Sequence, residues 1–297
     1  PVALVIGKNT PIEKPKQLDH ETWETPGGDI LKFQEPTQRL MIVKRAEKPP
    51  TPPAAPKPAE PPKPFEPDES ELELAKYVIE KLGKTHFIFG GAFSSHPTLA
   101  YSSALGNMEH WCKIAEDPDA AGERAKKGAE QAFPVYERTA RYGLDGMCVG
   151  SDFGHNTGPF ISPNHFRRGV LPGLKAAAAN IHKLGKVVLM HSCGNNRLLM
   201  DMFVEAGIDV YQAIQPQERI EEMKGLWGNR MTLWGDVYAG TLVLGKPADV
   251  RKEVRFAVER CKRGGGFILG TSHSVMPGAT YENYMAMLDE LQKCGRY

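Results

Sequence analysis

The chain has no excess of charge of either sign and no long apolar run. Its 37 Lys and Arg offset 36 Asp and Glu, leaving a formal net charge of +1 over 297 residues. Such a balance supplies no electrostatic footprint for nucleic acid or for an anionic membrane surface. No apolar stretch approaches the roughly 18–20 residues that a membrane-spanning helix needs. Cysteine is sparse: there are five, at positions 112, 148, 193, 261 and 294. An odd, scattered set of thiols does not make a disulfide framework, so the expected setting is the reducing cytoplasm. The opening run Pro1–Ile6 is too short, and lacks the basic leader, for a secretory signal. A chain that opens at Pro1 on a strand-like run is expected to be incomplete at its N-terminus.

Proline, in contrast, is concentrated. Ten of the twenty residues from Lys48 to Pro67 are Pro, which excludes a helix or an interior strand and predicts an extended, polyproline-like connection. This divides the chain into an N-terminal barrel segment or excursion over 1–47, a Pro-rich linker over 48–69, and the main part over 70–297. The first region has strand-like pieces at Ala3–Ile6 and Arg39–Val43, with a turn over Trp23–Asp29. Beyond the linker the pattern alternates. Strands are expected at His86–Phe89, Gly146–Gly150, Val187–Met190, Val210–Ile214, Met231–Trp234 and Phe267–Leu269. Helices are expected over 71–82, 107–114, 120–142, 164–184, 196–206, 218–226, 248–263 and 281–293, with breaks at Pro134 and Pro172. Ser70 and Glu73 have capping-box spacing, Ser162-Pro163 reads as a cap with proline in the first turn, and Gly207 as a helix stop. Short, wholly apolar strands separated by helices indicate a parallel sheet covered on both faces. Six such repeats plus two N-terminal strand candidates fit a (β/α)8 TIM-type barrel, its N-terminal part incomplete. No Gly-x-Gly-x-x-Gly follows the first strand, which argues against a dinucleotide fold.

In such a barrel the chemistry sits where strands end. The strand ends lead to Phe93, to Asp152 and His155, to His191 and Cys193, to Gln215, to Asp236 and Tyr238, and to His273. His191 and Cys193, two apart, project to the same side, so an imidazole and a thiolate can grip one metal ion. Taken alone, such a pair more often reads as packed or hydrogen-bonded residues; its place at a strand end before Gly194-Asn195-Asn196 favours the ligand reading. Asp152 and Asp236 read either as loop anchors and helix caps or as catalytic carboxylates. Phe93, His155, Gln215 and Tyr238 are the candidate substrate-binding residues.

Six runs, in order, resemble the uroporphyrinogen decarboxylase superfamily over roughly residues 85–293: Ser151-Asp-Phe-Gly154, Gly158-Pro-Phe-Ile-Ser-Pro163, His191-Ser-Cys-Gly-Asn195, Ile214-Gln-Pro216, Leu233-Trp-Gly-Asp236 and Gly264-Gly-Gly-Phe-Ile-Leu269. The resemblance implies a (β/α)8 barrel with its pocket at the strand C-termini. His191-Ser-Cys193 is similar to the corrinoid-dependent methyltransferase branch. That likeness implies Zn²⁺ held by His191, Cys193 and a third ligand, for which His273 stands where the branch carries a second Cys. It further implies a methyl transfer between a small methoxy or thiol substrate and a corrinoid carried on a partner protein, with Asp152, Gln215 and Asp236 orienting the substrate. No Asp-x-His-x-x-Gly corrinoid motif lies in this chain. A homodimer is compatible with the pattern. The alternative is a metal-free, uroporphyrinogen decarboxylase-like lyase, against which the strand ends supply few Arg or Lys for substrate carboxylates.

Overall fold

A computed structural model describes residues 15–34, 39–46, 73–91, 108–150, 152–276 and 278–296. The strand expected at Ala3–Ile6, the Pro-rich segment and Ser70 lie outside the described residues. The chain divides into two compact units, one within 2–74 and one over 75–297. The smaller carries an antiparallel meander of β1 (Lys16–Gln17), β2 (Thr22–Glu24), β3 (Ile30–Gln34) and β4 (Arg39–Lys44). The turn expected over Trp23–Asp29 is shorter than that. Trp23 pairs with Leu31 in the β2–β3 ladder, and the reversal begins at Thr25, whose hydroxyl accepts the Asp29 N–H at 3.0 Å. The strand expected at Arg39–Val43 exists, but it pairs antiparallel with β3 and is not a barrel strand.

The larger unit begins within α1 (Glu73–Leu82), which leads to β5 (Phe89–Gly91). This strand starts later than expected because the Leu82 carbonyl takes the N–H groups of Thr85 and His86, prolonging the helix end as a turn. There follow α2 (Met108–Glu116), α3 (Pro118–Gln131), α4 (Phe133–Ala140), β6 (Gly146–Gly150), a small hairpin of β7 (Gly154–His155) and β8 (Gly158–Pro159), α5 (Pro163–Gly169), α6 (Leu171–Lys183) and β9 (Val187–His191). Then come α7 (Met200–Ala206), β10 (Val210–Ile214), α8 (Ile220–Trp227), β11 (Thr232–Val237), α9 (Ala239–Leu244), α10 (Pro247–Cys261), β12 (Phe267–Thr271) and α11 (Tyr281–Cys294). The breaks at Pro134 and Pro172 fall as expected, since each Pro lacks the N–H that would continue the preceding helix. The Ser162 hydroxyl accepts the His165 N–H at 3.2 Å and starts α5. Gly207 ends α7 with φ 85°. The short α9 had no readable period in the sequence.

The parallel sheet runs β5-β6-β9-β10-β11-β12, its strands lying side by side in chain order. Sequential parallel strands linked by helices are the arrangement of a TIM-type barrel, and the described strands form an arc of one. Val188, Met190, Tyr211 and Leu233 have no exposed surface, as strands covered on both faces require. Parallel pairing aligns the strand ends: Gly150 is level with His191, and His191 with Gln212. The residues that follow β6, β9 and β10 therefore emerge together on one edge. Among the described residues no helix is long and apolar enough to cross a membrane.

Candidate metal centre

β9 ends at His191, and the chain keeps its course for one more residue because Ser192 N–H donates to the Gln212 carbonyl at 2.7 Å. It then turns sharply at Gly194, whose φ is +95°. A side chain there would meet the Gly154 backbone carbonyl, so the turn packs directly against the β7–β8 hairpin. Asn195 N–H seals that contact by donating to the His155 carbonyl at 2.8 Å. The turn brings Cys193 back beside His191, with Sγ 3.6 Å from Nε2. Asp152, arriving from the end of β6, accepts the Cys193 N–H at 2.8 Å through Oδ1. The same oxygen lies 3.5 Å from His191 Nε2. The donor atoms of Asp152, His191 and Cys193 all lie within 4.8 Å of one another, and among the described residues they form the one such group. The Asp152 and His191 side chains retain 35% and 40% of their exposure, so a ligand can reach them.

Gln212 on β10 sets the imidazole. Its Oε1 lies 2.5 Å from His191 Nδ1; an amide oxygen only accepts, so Nδ1 carries the proton and Nε2 presents its lone pair. Nε2 and the Asp152 oxygen are then two acceptors facing each other, an arrangement that wants a proton or a cation between them. Burial, followed by the charge of Asp152, pushes the Cys193 thiol up to about 12; the Gln215 side chain, hydrogen-bonded to it, pulls the other way.

Beneath the turn lies a polar frame with no exposed surface, made of Ser192, Asn196, Tyr211 and Glu218. Asn196 Nδ2 reaches the carbonyls of Cys193 and Gly194 at 3.0 and 3.3 Å and the Ser192 hydroxyl at 3.1 Å. Ser192 Oγ accepts the Phe153 N–H at 3.0 Å, tying the turn to the residue after Asp152. Burial raises Glu218 to about 7, against the opposing pull of hydrogen bonds from Asn196, Gln215 and Tyr211. Sequence reasoning missed Gln212, Asn196, Tyr211 and Glu218. One signal was available: Gln215-Pro-Gln-Glu218 has capping-box spacing, and the structure forms that box.

The remaining candidates are dispersed. Gln215 joins the cluster through the Cys193 thiol. His155 is exposed; its ring lies against Phe160 at 5.5 Å and the Thr157 hydroxyl at 3.0 Å, which steadies the hairpin. Asp236 and Tyr238 line a separate cleft of about 590 Å³ with Glu221, Lys252, Glu253 and Phe256. Burial, then the charges of Glu253 and Glu221, raise Asp236 to about 7. His273 follows β12 and is not a member of the three-residue group; its Nδ1 is buried without a partner among the described residues. Phe93 lies outside the described residues.

A sequence profile described as uroporphyrinogen decarboxylase (URO-D) matches residues 43–294. Comparison with curated proteins finds no match. Among solved structures, a methyltransferase from Methanosarcina mazei superposes with a TM-score of 0.63 at 17% identity, over 91% of this chain and 77% of that one. A 3-keto-D-glucoside 4-epimerase from E. coli aligns with a TM-score of 0.42 at 12% identity, over 75% of this chain and 84% of the other.

Proposed function

The chain belongs to the uroporphyrinogen decarboxylase (URO-D) family, and from that premise we propose that it is a zinc-dependent methyltransferase. It would move a methyl group between a small methoxy or thiol substrate and a corrinoid carried by a partner protein, inside the cell, where its free thiols stay reduced. The observation that carries this reading is the convergence of Nε2 of His191, Sγ of Cys193 and a carboxylate oxygen of Asp152 within 4.8 Å at the strand C-termini. A nitrogen, a sulfur and an oxygen donor suit Zn²⁺. The facing acceptors, Nε2 and Asp152 Oδ1, fit a cation by their own chemistry. His273, with its unpartnered Nδ1, is proposed as a further donor.

Bound there, Zn²⁺ supplies Lewis acidity that lowers the pKa of a substrate thiol or stabilises a leaving alkoxide. The residues of the chain supply the rest. Gln212 holds the His191 tautomer by accepting from Nδ1. Asp152, bonded to the Cys193 N–H and open to solvent, is placed to receive the thiol proton and pass it out. Gln215, already on the Cys193 thiol, and Asp152 orient the substrate beside the cluster.

Metal analysis of protein purified with added zinc tests the reading. About one equivalent is expected, with His191→Ala and Cys193→Ala each close to none. A wild-type content below about a tenth of an equivalent would overturn it. Loss of zinc in His273→Ala is expected if that residue ligates. Incubation with uroporphyrinogen serves as the contrary arm, since release of CO₂ from it would favour a lyase.

A further inference from the structure

A carboxylate with no exposed surface is costly unless its acceptor sites are filled. Glu218 fills them inward. Oε1 accepts from Asn196 N–H at 3.1 Å and from Tyr211 O–H at 2.9 Å, and Oε2 accepts from Gln215 N–H at 3.2 Å. All three partners donate to Glu218, so the ionised carboxylate dictates the direction of each. The Tyr211 hydroxyl has two acceptors in reach, Glu218 Oε1 at 2.9 Å and the Ser192 carbonyl at 3.2 Å; the shorter, charge-assisted bond takes its hydrogen, which leaves the phenol oxygen free to accept Asn196 Nδ2–H at 3.0 Å. That in turn fixes which end of the Asn196 amide faces the turn: its NH₂ group, whose second hydrogen is shared among the Cys193 and Gly194 carbonyls and the Ser192 hydroxyl. The direction set at Glu218 is thus transmitted to the backbone that carries Cys193. Through the Ser192 hydroxyl it reaches Phe153, next to Asp152.

We propose that Glu218 is the positioning residue of the His191–Cys193 turn, fixing the placement of Cys193 relative to Asp152 through Tyr211 and Asn196 without touching either. The proposal rests on the reading of Asp152, His191 and Cys193 as one site. Glu218→Gln keeps the shape but puts an NH₂ group where only acceptors serve, so one of the three donors is left facing another donor.

Two readouts separate a positioning role from a merely stabilising one. In metal-free protein, alkylation of Cys193 by iodoacetamide, followed peptide by peptide, is expected to quicken about tenfold in Glu218→Gln, with buried Cys261 unchanged. Zinc affinity, measured against a chelator, is expected to fall by about 10–100-fold. Glu290→Gln is the control. That carboxylate is 7% exposed and bonds Arg251 and Arg255, so its loss should lower the unfolding midpoint and move neither readout. Tyr211→Phe, which removes only the hydroxyl, covers the case in which Glu218→Gln does not fold. Cys193 alkylated at the wild-type rate in the folded variants would overturn the proposal. Faster alkylation in a protein whose wild type takes up no zinc would uphold the positioning role and overturn the metal reading instead.

Discussion

At the scale of single residues, the site is governed by where protons rest. Burial and the neighbouring Asp152 carboxylate push the Cys193 thiol up to about 12, so at neutral pH it is a thiol. The metal ligand is the thiolate. Zinc uptake at the proposed site would therefore expel the Cys193 proton, and an acceptor is close at hand, because Asp152 already bonds the Cys193 N–H at 2.8 Å. About one proton is expected to leave per zinc bound at pH 7.5, seen as a buffer-dependent heat when the titration is repeated in two buffers of different ionisation enthalpy. A heat independent of the buffer would show that Cys193 is not a ligand. The same argument gives Gln212 its weight. By holding the proton on Nδ1 of His191, it leaves Nε2 facing Cys193 and Asp152.

At the scale of elements, the turn after β9 depends on Gly194. Its φ of +95° costs a side chain roughly 1–2 kcal/mol, and a Cβ would also strike the Gly154 carbonyl on the adjoining hairpin. Gly185 is the comparison: its φ is +67°, but a methyl group there would meet nothing within 4 Å. Gly185→Ala is expected to lower stability by about 1 kcal/mol, and Gly194→Ala by at least twice that and, on the proposed reading, to lose zinc uptake, as read from urea unfolding and metal content. Equal effects would mean that the turn yields without strain. Much at this scale was legible beforehand. The alternation of short apolar runs with helices foretold the parallel sheet, and Ser162, Pro172 and Gly207 marked real helix boundaries. The frame under the turn was not legible, because Tyr211, Gln212 and Glu218 meet the 191–196 segment only through the pairing of β10 with β9. Periodicity says that a residue is buried; register decides whom it meets. Asp152 illustrates the point: as a strand-end carboxylate it was a candidate, but its place beside Cys193 comes from the alignment of β6 with β9.

At the scale of the whole molecule, two carboxylates set a pH dependence of unusual sign. Glu218 and Asp236 are both raised to about 7, chiefly by burial. Between their unfolded values, near 4, and pH 7, the folded chain binds more protons than the unfolded one. Stability therefore falls as pH rises through that window, and the contribution present below about pH 4 is lost once pH passes the folded pKa. Each group supplies at most roughly 3–4 kcal/mol of this decline. Asp201 and Glu205, held low by their hydrogen bonds to Trp227 and Arg167, act in the opposite sense in more acid solution, and His110, lowered by burial, opposes the decline up to its ordinary value near 6.5. With a chelator present to remove the added stability of bound metal, the urea midpoint of the wild type is expected to be higher at pH 5 than at pH 8. Glu218→Gln and Asp236→Asn cannot ionise, so each should flatten the decline whatever it does to stability at a single pH, and the double variant should flatten it further. A double variant that loses as much stability as the wild type between pH 5 and pH 8 would show that the fold does not raise the pKa of either carboxylate.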